Sequence, residues 1–114
     1  MDGICVSNHG GRVLETDITA LEVLDSIKNN IKSKTKLIVD GGIRTGGDIF
    51  KCLYLGADYV AIGRPVIFGL AVNSNIWIER VLELYIQEFK TTMYLCGVND
   101  INKIGIKNII SRLK

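Results

Sequence analysis

The sequence predicts an α/β fold built on parallel strands, and three observations carry that prediction. Three short apolar runs, Gly3 to Val6, Leu37-Ile38-Val39 and Tyr59-Val60-Ala61-Ile62, each end in a glycine-rich polar stretch. Each run is rich in β-branched residues and shows no polar alternation, the pattern of a strand buried on both faces. Between and after the runs, apolar residues recur every three or four positions, so strands and helices alternate in short units. That order argues for parallel strands joined by right-handed crossovers.

At 114 residues the chain is long enough for one domain with a buried core, taken as a single unit over residues 1–114. Hydrophobic residues make up 47% and charged residues 23%, which places it among globular rather than disordered chains. A formal charge of +2 makes no electrostatic case for nucleic acid. No apolar run approaches the roughly 20 residues of a bilayer span, and the N-terminus lacks a secretory pattern, so the expectations are no membrane insertion and a cytoplasmic location. Cys5, Cys52 and Cys96 are odd in number and far apart, which fits neither a disulfide framework nor a zinc site. They are expected to be small buried hydrophobes, and no metal site is expected.

In chain order, Ile4-Cys5-Val6 forms the first strand and the glycines after His9 end it. Thr19 and Glu22 make a capping box for a helix carrying Ile18, Leu21, Leu24, Ile27 and Ile31 at helical spacing, up to Ser33-Lys34-Thr35. The second strand stops at Asp40-Gly41-Gly42, after which Thr45 caps a helix through Ile49, Phe50 and Leu53 to Gly56. The third strand ends at Gly63-Arg64-Pro65. Val66 to Val72 is expected to form only a short helical turn, and Asn73-Ser74-Asn75 a loop. From Ile76 to Cys96, Trp77, Val81, Leu84, Tyr85, Phe89 and Met93 mark a long amphipathic helix with one buried face, stopped by Gly97. The tail, Asn99 to Lys114, is expected to close helically on the outside. Two architectures satisfy this order: a small open α/β sheet, or the last three strand-helix units of a (β/α)8 barrel, which needs about 250 residues when whole.

The chemistry concentrates at strand ends. Ser7-Asn8-His9-Gly10-Gly11-Arg12 sets an imidazole beside a guanidinium at the first strand tip, a setting for proton abstraction from a substrate whose anionic group Arg12 holds. Asp40-Gly41-Gly42-Ile43-Arg44 and Gly63-Arg64 follow the next two strands. Both combine N–H groups freed by glycine with a forked cation, resembling two halves of a phosphate cradle to which the helix starting near Thr45 adds its positive end.

SNHGGR, DGGIRTGGDIFKCLYLGAD and AIGRP, in this order and spacing, resemble the FMN-dependent 2-hydroxy acid oxidase and dehydrogenase family, which includes glycolate oxidase, lactate oxidase and flavocytochrome b2. The resemblance runs from Gly3 to about Val98 and selects the barrel, with these blocks as its strands six, seven and eight. It implies that His9 is the active-site base, that Arg12 binds the substrate carboxylate, and that Ser7 contacts the flavin. It further implies that Asp40 bonds the ribityl chain, that Gly41, Gly42, Ile43 and Arg44 complete that loop, and that Gly63 and Arg64 finish the FMN-phosphate site. Implied partners are a small 2-hydroxy acid and either the missing N-terminal part of the barrel or a second copy of the chain.

Two departures from the family pattern stand out. Val13-Leu14-Glu15 replaces the common Gln-Leu-Asp after the arginine, and strands one to five, with the family's flavin-side lysine and substrate-binding tyrosines, lie outside this sequence. The leading expectation is therefore a C-terminal portion of a flavoprotein oxidoreductase, catalytically inert alone because sheet edges and apolar faces stay open. The alternatives are a self-standing phosphate or FMN-binding half-barrel that dimerises, and a non-functional product of a split reading frame.

Overall fold

The computed structural model describes residues 2–13, 18–32, 34–73 and 75–105. Three strands, β1 (Gly3–Val6), β2 (Lys36–Asp40) and β3 (Tyr59–Ala61), form one parallel sheet in sequence order. The register pairs Val6 with Val39 and Val39 with Val60, and Cys5 with Ile38 and Ile38 with Tyr59. Because side chains alternate across a strand, the first row faces the helices and the second faces away from them. Val6 and Val39 are buried, whereas Cys5 and Tyr59 are exposed. Among the described residues, the sheet is thus covered on one face only. Of the three cysteines expected to be buried, Cys52 is fully buried and Cys96 half-buried; Cys5 is exposed because it lies in the uncovered row.

Helix α1 (Ala20–Asn30) begins as its sequence predicts: the Glu22 carboxylate accepts the Thr19 N–H at 2.6 Å and the Thr19 hydroxyl at 2.8 Å. Leu24 and Ala20 carry its face into the core with Leu37, Val39, Ile43 and Cys52. Helix α2 (Gly46–Tyr54) starts with a reciprocal cap, in which Thr45 Oγ1 accepts the Asp48 N–H and Asp48 Oδ2 accepts the Thr45 N–H, both at 3.1 Å. It ends in a Schellman pair, Gly56 N–H to the Leu53 carbonyl and Ala57 N–H to the Cys52 carbonyl, with Gly56 at φ 99°.

After β3 the structure departs from the sequence expectation. Instead of a short turn over Val66 to Val72, Arg64–Asn73 forms a ten-residue helix, α3, and Asn75–Leu95 forms α4, so Asn73 and Asn75 of the expected loop are helix ends. Tertiary packing accounts for the extension: Gly69 sits so close to α4 that an added Cβ would lie 3.0 Å from the Trp77 carbonyl oxygen. In α4 the expected buried face is only half covered. Tyr85 and Met93 are buried, whereas Trp77 and Leu84 stay 46% and 42% exposed. A second Schellman pair, Gly97 to Tyr94 and Val98 to Met93, ends α4, after which Met93, Val98 and Phe50 form a small second core. Only a short 3-10 turn, Ile101–Lys103, is described of the tail; its expected closure at Ile109, Ile110 and Leu113 lies outside the described residues. Among the described residues no helix is long and apolar enough to cross a membrane.

Asp58 fastens the lower rim of the sheet. Its carboxylate accepts Lys36 Nζ at 2.6 Å and the Leu37 N–H at 2.9 Å, and these bonds, the lysine's first, hold it below the ordinary aspartate range. A carboxyl depressed by folding stabilises above its unfolded pKa and loses that contribution as pH falls through its folded value. Asp58→Asn is therefore expected to lower the unfolding free energy at neutral pH, read from urea titrations, by an amount on the order of 1 kcal/mol after solvent screening. The difference from the parent chain should vanish in acid. Lys36 is shifted upward by the same bond, so its share persists until pH rises through its raised value.

Candidate active site

All three strands point their C-terminal ends at one cleft of about 750 Å³, whose lining includes His9, Arg12, Asp40, Arg44, Gly63 and Arg64. One step beyond the register of β1 and β2, Ser7 falls beside Asp40 and donates its hydroxyl proton to Asp40 Oδ2 at 2.7 Å. The chain then turns through His9, Gly10 and Gly11, whose φ values of 56°, 67° and 75° are all left-handed. Asn8 holds the turn, its carbonyl and Oδ1 accepting the Gly11 N–H at 3.1 and 3.3 Å.

The three strand-end loops touch one another. A Cβ added at Gly41 would lie 3.1 Å from Asn8 Oδ1, and one added at Gly10 would lie 3.3 Å from Arg64 Nη2. Glycine is favoured at Gly10 by its backbone conformation, at φ 67°, and the Arg64 guanidinium approaches it closely. Gly42 and Gly63, by contrast, face open space. Among the described residues, none of Arg12, Arg44 and Arg64 has a carboxylate partner. Three guanidiniums without a carboxylate partner among the described residues thus stand around one cleft whose lining also holds the carboxylates of Asp40 and Glu88.

Placement of the expected site residues is uneven. His9, Arg12, Asp40, Gly41, Gly42, Arg44, Gly63 and Arg64 line the cleft together. Ser7 stands behind the first loop, with its hydroxyl engaged by Asp40 and the His9 N–H. Ile43 lines the cleft as well, while its side chain, 4% exposed, packs in the core and its carbonyl accepts the Tyr85 hydroxyl at 3.0 Å.

The expected contribution of the helix near Thr45 needs correction. The first N–H groups of α2 are already satisfied: Gly46 donates to Glu88 Oε2 at 2.8 Å and Asp48 to Thr45 Oγ1, while the Asp48 carboxylate takes Arg44 and Thr45. Burial opposes ionisation of Asp48, but its bonds to Arg44, Thr45 and Lys51 outweigh that and hold it low. Two carboxylates therefore cap α2, and the helix start in the cleft lining is that of α3, at Arg64, where Pro65 has no N–H and the Val66 and Ile67 N–H groups bond the Gly63 carbonyl. Sequence reasoning assigned Tyr85 to the core and missed Glu88 as a site residue. Their spacing of three on α4 was the available signal.

A family model described as FMN-dependent dehydrogenase matches residues 1–111. The chain belongs to this family. Oxidase FUB9 of Gibberella fujikuroi is 45% identical over 105 residues, covering 92% of this chain and 29% of the relative. Peroxisomal (S)-2-hydroxyacid oxidase GLO3 of Arabidopsis thaliana is 39% identical over 116 residues, covering 99% of this chain and 32% of its own length. L-lactate dehydrogenase of Vibrio cholerae is 39% identical over 111 residues, 97% of this chain and 29% of the relative. Among solved structures, a mandelate oxidase mutant with the monooxide FMN adduct superposes with a TM-score of 0.84 at 40% identity, covering 89% of this chain and 32% of that one. The chain thus spans about a third of the length of the relatives it matches. Its α/β architecture is that of part of a (β/α)8 barrel, and its cleft lies where such barrels carry their sites, at the C-terminal ends of the strands.

Proposed function

We propose that this chain supplies the base, the carboxylate anchor and the cofactor-phosphate loops for FMN-dependent oxidation of a small 2-hydroxy acid to a 2-oxo acid. The observation that carries the reading is the convergence on one cleft of His9 with three guanidiniums that have no carboxylate partner among the described residues. Names borne by the relatives, 2-hydroxyacid oxidase, lactate dehydrogenase and mandelate oxidase, share one substrate chemistry, a carboxylate beside a carbon bearing a hydroxyl.

The residues present fit FMN. Open glycine faces at Gly42 and Gly63 leave space for a phosphate to approach backbone N–H groups, with Arg44, Arg64 and the start of α3 to balance its charge. Asp40 Oδ2 is committed to Ser7, and its second oxygen remains to accept a ribityl hydroxyl. Bound FMN would supply the acceptor for the two electrons that leave the substrate α-carbon.

The chain's own groups do the positioning and the proton work. Arg12 holds the substrate carboxylate by two parallel N–H bonds, which orients the α-carbon toward His9. One imidazole nitrogen of His9 takes one of the two protons that oxidation releases. Exposed apolar side chains at the cleft margin, Ile67, Phe68 and Leu84, leave the site open to water in the isolated chain, so turnover by these 114 residues alone is not expected.

Comparing FMN with riboflavin, which lacks the phosphate, tests the cradle. The chain is expected to bind FMN tighter by roughly two orders of magnitude in flavin-fluorescence titrations. Arg44→Ala with Arg64→Ala should erase that preference. Equal affinities for the two flavins in the parent chain would remove the phosphate assignment.

A further inference from the structure

We propose that Ser7 is a positioning residue, whose hydroxyl ties the His9 backbone to the Asp40 carboxylate and holds His9 in its left-handed conformation. The functional meaning of this strut rests on the reading of His9 as the base; its geometry does not. Ser7 Oγ accepts the His9 N–H at 2.9 Å while donating to Asp40 Oδ2 at 2.7 Å. A serine hydroxyl has one proton and two lone pairs, and an ionised carboxylate can only accept. The proton therefore goes to Asp40, which turns a lone pair toward the His9 N–H. Asp40 sets the direction of the bond that Ser7 makes to His9.

His9 needs such a hold. It is the one non-glycine residue with positive φ among the described residues, at 56°, a conformation that costs any residue bearing a Cβ. Gly10 and Gly11 adopt the same region without that penalty, so they impose nothing on His9. Asn8 pins the far end of the turn through Gly11, and Ser7 pins the near end through His9 itself. The imidazole leaves a backbone fixed at both ends of a three-residue turn. Asp40 is shared: one oxygen orients the strut while the other faces the cofactor role assigned above, so base and cofactor loop form one hydrogen-bonded unit across 33 residues of sequence.

The experiment is amide hydrogen exchange and HN–Hα coupling at His9 in the isotope-labelled chain, compared among the parent, Ser7→Ala, Ser7→Thr and Asp40→Ala. The parent and Ser7→Thr, which keeps the hydroxyl, are expected to protect the His9 amide and to share one coupling. Ser7→Ala and Asp40→Ala are expected to exchange it roughly tenfold faster with an altered coupling, the Val39 amide of β2 staying unchanged. Unchanged exchange and coupling at His9 in Ser7→Ala would overturn the proposal. So would a parent chain whose His9 amide exchanges at the unprotected rate, or a Ser7→Thr variant that behaves like Ser7→Ala. These readouts do not depend on what His9 does chemically, so their failure leaves the oxidation reading standing, and loss of the oxidation reading leaves the strut standing.

Discussion

Replacing His9 by Gln is expected to slow flavin reduction by a factor of roughly 10²–10⁴ in a chimera where residues 3–98 substitute for the matching third of a 2-hydroxyacid oxidase relative. Gln keeps a polar side chain of similar reach but cannot take up a proton near neutral pH, so the loss isolates the basic function from the space the ring fills. FMN affinity should stay close to that of the unmutated chimera, because the phosphate loops lie on the other two strand ends. Arg12→Met is expected to act differently, raising KM more than it lowers kcat, since the carboxylate anchor works in the ground state as well. A His9→Gln chimera reduced by 2-hydroxy acid at the unmutated rate would remove the assignment of the base.

Gly46→Ala is expected to destabilise the chain by about 3 kcal/mol or more, a large part of the stability of a small domain. An added Cβ would sit 2.1 Å from the Phe89 N, 2.5 Å from the Tyr85 carbonyl oxygen and 2.6 Å from the Glu88 carbonyl carbon. All three are backbone atoms of α4, so no side-chain rotation relieves the clash and the two helices must separate. The Gly46 bond to Glu88 would go with them. Helix propensity alone argues the opposite sign, because Ala is favoured over Gly by about 1 kcal/mol within a helix. Gly47 provides the control: a Cβ there meets only Thr45 Oγ1 at 3.5 Å and Thr92 Oγ1 at 3.7 Å, so Gly47→Ala should be neutral or mildly stabilising. Urea midpoints of the two variants should move apart. A Gly46→Ala midpoint equal to that of the parent would contradict the packing described.

Much of the scaffold was legible because its signals are local. Thr19 with Glu22 and Thr45 with Asp48 mark helix starts within four residues, and Gly56 and Gly97 mark ends by conformations that glycine adopts freely. The loops that gather at the cleft were legible for a related reason, since each apolar run stops at glycine and a polar side chain. Helix α3 was not, because Gly69 and the β-branched Val66, Ile67 and Val72 lower helix propensity, and its support comes from α4. Glu88 capping α2 and Ser7 binding Asp40 span 42 and 33 residues, beyond any periodicity. The exposed half of α4 was hidden as well, because periodicity shows which face is apolar but not what lies against it.

Anaerobic mixing of the unmutated chimera with a series of small 2-hydroxy acids, followed by the absorbance of oxidised flavin, tests the proposed function most directly. The expected result is bleaching that requires both the carboxylate and the adjacent hydroxyl of the added acid, with the 2-oxo acid recovered in equal amount. A chimera that holds FMN yet is bleached by none of them would contradict the assignment of this chain to 2-hydroxy acid oxidation.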